Sequence, residues 1–155
     1  MAAQKILVPY NHTPHDRKAL NFVIETFAGR GDVSVTLFNT YPPLPEFDMD
    51  SSPELGKLRS GLAALQEELD ERESGLKSSR ELMLKNNFED NQVDYVFKQR
   101  EKSIPDEILD AVNRGGYTVI VLSGRGTGRV TRILSRSVRE RILGAVEGVT
   151  VCIAK

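Results

Sequence analysis

Two short stretches carry the groups best suited to holding a small ligand. The first is Pro9-Tyr-Asn-His-Thr13, where a carboxamide, an imidazole and a hydroxyl follow an apolar run. The second is Ser123-Gly-Arg-Gly-Thr-Gly128. A glycine-rich turn from strand to helix offers backbone N–H groups and a positive helix end to an anion, a common way of holding phosphate. Glycines there also serve any tight turn, so this stretch alone leaves both uses open. His12, His15 and Asp16 would have to supply three metal ligands from one tight turn, so they read as surface turn and cap residues. No Ser/His/Asp or Cys/His order is persuasive. No catalytic residue and no metal ligand is therefore assigned.

Both stretches need strands and helices to position them. Lys5–Tyr10 is an apolar run that reads as a strand buried on both faces. Thr13 can cap the next helix, with Pro14 at its first position, and Gly29 and Gly31 stop it. Val33–Phe38 is a second strand, and Tyr41–Glu54 reads as a loop. A long helix is expected from about Pro53 to Lys85, with Leu55, Leu58, Leu62, Leu65 and Leu69 forming an apolar stripe. That stripe spans about two heptads, too few to argue for a coiled coil, so it is expected to pack on the sheet. Gly75 is a candidate break. Gln92–Gln99, Tyr117–Leu122 and Val149–Ala154 read as further strands. Helices are expected from Ser103, where a capping box is visible, to Gly115, and from about Arg129 to Leu143. Strict alternation predicts one domain over residues 1–155, a doubly wound three-layer α/β/α sandwich. Its sheet would be five-stranded and parallel. Ligands on such sheets sit beyond the carboxyl ends of the strands, where the strand order reverses.

The order of these elements resembles the universal stress protein family. Lys5-Ile-Leu-Val-Pro9, followed by Ala19-Leu20, is similar to the family's opening, and Val149–Ala154 to its last strand. The family signature after the fourth strand is Gly, two residues, Gly, nine residues, Gly, then Ser or Thr. Here that register holds Ser123, Gly126, Arg136 and Ser137, followed by Val138, Glu140 and Arg141. The resemblance implies a Rossmann-like fold of strand order 3-2-1-4-5 and, in some members, ATP or AMP as ligand, with magnesium if ATP. Carried over position by position, the nucleotide would meet Pro9, Tyr10, Asn11, Asn39, Thr40, Ser123, Gly124, Gly126, Arg136, Ser137 and Val138. Asn11 stands where nucleotide-binding members carry an acidic residue. Ser123 and Arg136 stand where they carry glycine. Arg136 would either fill the phosphate pocket or offer its guanidinium to the phosphates. The resemblance also implies a homodimer formed through Val149–Ala154.

Composition narrows the field. With 39% hydrophobic and 28% charged residues and a formal net charge of −1, the chain gives no reason to expect a nucleic-acid-binding or membrane-surface protein. Cys152 is the only cysteine, which excludes an internal disulfide, and it reads as inert core. No signal-peptide pattern and no apolar run of about 20 residues is present, so a cytoplasmic location is expected. Arg129, Arg132, Arg136 and Arg139 fall on one helix face, which reads as a solvated face or an anion-attracting one. A receiver-like phosphorylation domain would need an acidic pair after the first strand, and Asn11 occupies that place. An ATP pyrophosphatase would need a Ser-Gly-Gly-x-Asp-Ser loop there. ATP hydrolysis would lack an evident general base. The reading is therefore a non-catalytic regulatory protein, capable at most of slow incidental ATP hydrolysis. It would act as a dimer, engaging protein partners, with nucleotide binding weak or absent. The alternative is an ATP or AMP switch that uses Gly126, Ser137 and Arg136 for the phosphates.

Overall fold

The computed structural model describes residues 3–44, 55–124 and 136–155, without the side chains of Leu55 and Arg136. Five strands, β1 (Gln4–Pro9), β2 (Val33–Tyr41), β3 (Val93–Gln99), β4 (Val119–Ser123) and β5 (Thr150–Ala154), form one parallel sheet of order β3-β2-β1-β4-β5. The fold class and strand order are those expected. The helices are α1 (Pro14–Phe27), α2 (Leu55–Lys85), α3 (Ile104–Gly115) and α4 (Arg136–Ala145).

Alternation along the strands divides the core in two. Ile6, Val8, Val119 and Val121 face α1 and α2 and pack with Leu20, Val23, Leu76 and Met83. Leu7, Ile120 and Leu122 face the other way and pack with Ile108 and Val112 of α3 and Ile142 of α4. Both faces are covered, which is why β1 and β4 read as continuous apolar runs.

Local chemistry sets the helix ends. Thr13 caps α1 in a capping box in which its side chain accepts from the Asp16 N–H and Asp16 reaches back to the Thr13 N–H. Ser103 caps α3 by accepting from Asp106, and α3 ends on Gly116 in the left-handed region. Asn87, at φ 68, follows α2. A short 3₁₀ turn, Asp90–Gln92, occupies the start of the stretch expected as the third strand.

The leucine stripe behaves differently from expectation. Leu76 and Met83, beyond the stripe, are fully buried, whereas Leu58, Leu62 and Leu69 are half-buried and Leu65 is 38% exposed. The reason is length. A helix of 31 residues spans about 46 Å, while the nine residues of β2 span only about 30 Å. Its C-terminal half therefore packs on the sheet, and its first turns overhang the carboxyl ends of the strands. Gly75 does not break it. Arg139 is half-buried rather than solvated. Cys152 is half-buried rather than buried.

Candidate functional site

The strand order reverses between β1 and β4, so the carboxyl ends of β1, β2 and β4 bound the crevice. β2 outruns its neighbour. It pairs with β1 only as far as Pro9↔Phe38 but with β3 as far as Tyr41↔Gln99. Asn39, Thr40 and Tyr41 thus project beyond β1 as a shelf. Asn39 and Thr40 are nonetheless 4% and 6% exposed, because another element lies over them.

That element is α2, and the side chain it inserts is Arg72. Its Nη2 donates to Asn11 Oδ1 at 3.3 Å, Asn39 Oδ1 at 3.2 Å and the Thr40 carbonyl at 3.2 Å. Asn39 Nδ2 donates to Asn11 Oδ1 at 3.1 Å, closing the cluster. The guanidinium also lies 5.5 Å from the centre of the Phe97 ring, a cation–π distance. Its Nε is buried and has no hydrogen-bond partner among the described residues. Burial pushes the Arg72 pKa below its ordinary value; the charge of Glu68 opposes the shift and that of Arg100 adds to it.

The β1–α1 turn is fixed from both sides. The Asp16 carboxylate, 3% exposed, accepts from the N–H groups of Asn11 at 2.9 Å and Thr13 at 3.2 Å. His12 sits between them at φ 60, a strained conformation for a non-glycine residue. Its ring meets the edge of Tyr10 at 4.6 Å and lies flat enough on Gly75 that a Cβ there would come within 2.6 Å of it. Gly75 is thus the seat of His12. Burial lowers the His12 pKa, partly offset by the Asp16 charge and a hydrogen bond to the Arg72 backbone. Asp16 is committed to the turn, and the described residues hold no cluster of three metal-ligating side chains.

Of the residues carried over from the family pattern, the structure gathers Pro9, Asn11, Asn39 and Thr40. On the α3 side Pro9, Asn39 and Thr40, with Phe38, Ile104 and Ile108, enclose about 10 Å³, room for about one water. Tyr10 is buried beside them. Ser123 ends β4 as an ordinary strand residue, so it needs no positive φ, and it is 3% exposed. Gly124 donates its N–H to the Ala154 carbonyl, and a Cβ on it would stand 2.6 Å from that oxygen. Close approach of β5, rather than a turn, demands glycine here. Ser137 is exposed in the first turn of α4, while Val138 packs into the core with Ile142. Arg125, Gly126, Arg129 and Arg132 lie outside the described residues, as does the Arg136 side chain.

Arg72 escaped the sequence reading, yet it left a trace. It stands three residues after Leu69 and four before Leu76, so a charge occupies an apolar-stripe position. A guanidinium in that register must find acceptors at the sheet edge.

A family model described as the universal stress protein family matches residues 2–151. The chain belongs to the universal stress protein family. Among solved structures it is similar to the universal stress protein UspA from Lactobacillus plantarum, at 15% identity and a TM-score of 0.68, covering 100% of this chain and 99% of that one. It is also similar to the universal stress protein from Archaeoglobus fulgidus in complex with dAMP, at 18% identity and a TM-score of 0.64, covering 98% and 97%. A universal stress protein in complex with cAMP matches at 12% identity and a TM-score of 0.58, covering 99% and 97%. No curated protein sequence matches. Among the described residues no helix is long and apolar enough to cross a membrane.

Proposed function

We propose that this chain is a non-catalytic, cytoplasmic regulatory member of its family whose nucleotide crevice is closed by its own Arg72. The observation that carries the reading is the guanidinium seated on Asn11, Asn39 and Thr40, three positions a nucleotide would meet. A nucleotide entering there must expel a cation that is already hydrogen-bonded, and the polar groups it would use are already committed. With asparagine at position 11 the guanidinium rests there on neutral acceptors alone, and no carboxylate remains at that position to accept from a ribose or to hold magnesium. The decisive experiment is calorimetric titration with AMP, ADP and ATP, with magnesium, against wild type and Arg72→Ala. Weak or no binding by wild type and measurable binding by the variant is the expected outcome. Tight binding by wild type would overturn it.

Structural relatives in complex with dAMP and cAMP favour a second reading, an ATP or AMP switch. In that case Gly126, Ser137 and Arg136 hold the phosphates, and Arg136→Ala abolishes tight wild-type binding. Dimerisation is proposed through β5. It is an edge strand whose Ile153 is 40% exposed, and an uncovered edge offers its free backbone groups to another copy. Partners would then engage the dimer.

A further inference from the structure

The overhang of α2 leaves a cavity of about 200 Å³ between the helix and the chain leaving β2, walled by Pro42, Pro43, Leu44, Leu65, Glu68, Leu69 and Arg72. Five of these seven side chains are apolar, and the other two are the Glu68 carboxylate and the guanidinium that closes the crevice. An apolar cavity of about 150 Å³ holds a benzene ring, so this one has room for a single ring carrying a short polar group. Two cations, Arg72 and Arg100, stand there against one carboxylate, Glu68. Arg72 lies within electrostatic reach of Arg100 as well as Glu68, and its guanidinium lines the cavity. A carboxylate seated against the guanidinium would make a charge-assisted pair with Arg72 and lessen its repulsion with Arg100.

We propose that this cavity binds a small carboxylate with a single-ring apolar body, its ring among Pro42, Leu65 and Leu69 and its carboxylate on Arg72. Glu68 lines the same cavity and opposes the anion, which tunes the affinity downward and makes the sign of its removal a prediction. The proposal stands apart from nucleotide closure, because nucleotide titration reads that and neither result decides the other.

The probe is phenylacetate, compared with its neutral isostere phenylacetamide by calorimetry on the full chain. Wild type is expected to bind phenylacetate at least about tenfold more tightly than phenylacetamide, the difference made by a charge-assisted hydrogen bond. Arg72→Met should erase that preference, and Glu68→Gln should strengthen phenylacetate binding several-fold. Leu65→Trp, at a solvent-exposed position, should fill the cavity and weaken both ligands while the thermal melt stays unchanged. Equal binding of the two ligands, no binding up to several millimolar, a preference surviving Arg72→Met, or unweakened binding to Leu65→Trp would each overturn the assignment.

Discussion

At the residue scale, small groups hold the crevice in shape. Asp16 is a buried carboxylate serving two backbone donors, so Asp16→Ala strands them and removes half of a capping box. A loss of about 1–3 kcal/mol in urea unfolding is expected. His12 couples the turn to solution pH. Burial lowers its pKa from 6.5, so between the lowered value and 6.5 the unfolded chain binds more protons than the folded one. Its contribution is complete above pH 6.5 and declines as pH falls through that window. Thermal melts at pH 7.5 and 5.5 should therefore differ less in His12→Asn, where asparagine still tolerates the positive φ. Asp16 and His12 were both visible in the sequence as turn residues. Their partners were not, because the Asn11 N–H and the Gly75 backbone reach them only through the folded turn and an element more than 60 residues away.

At the element scale, the length of α2 matters more than its composition. A shorter helix would end at the sheet edge and leave Asn39 and Thr40 open. The seat of His12 on Gly75 ties the helix to the turn. Alanine in place of a helix-interior glycine normally stabilises by about 0.5–1 kcal/mol. Gly75→Ala should forfeit that gain here, since its Cβ would meet the His12 ring at 2.6 Å. In a His12→Asn background the gain should return, and a double-mutant cycle on unfolding free energies reads the coupling. Gly124→Ala has no such relief, because the opposing atom is the Ala154 backbone carbonyl. It should destabilise by about 1–3 kcal/mol in the same assay. The element order and most element positions were legible from alternating apolar patterns and caps, and the strand order from the family resemblance. Extension of β2 to Tyr41 was not, because Tyr41-Pro-Pro reads as a loop until β3 pairs with it as far as Gln99.

At the scale of the molecule, one parallel sheet with both faces covered leaves β5 and β3 as its edges. Sedimentation at micromolar concentration should show a dimer for wild type and a monomer for Ile153→Lys, since a lysine on an exposed edge position discourages pairing. The amino-acid sequence by itself determined the layered α/β architecture and the family register. The architecture rests on periodic burial and turn chemistry, which act between near neighbours in the chain, and the register on the resemblance to the family signature. It also marked Asn11, Asn39 and Thr40 as residues of the crevice. What occupies them was decided only by tertiary structure. Arg72 lies 61 residues from Asn11, and the two meet because α2 must run back across the carboxyl edge of the sheet to begin β3. A hydrogen bond across that distance has no signature in local pattern beyond one charge standing in an apolar stripe.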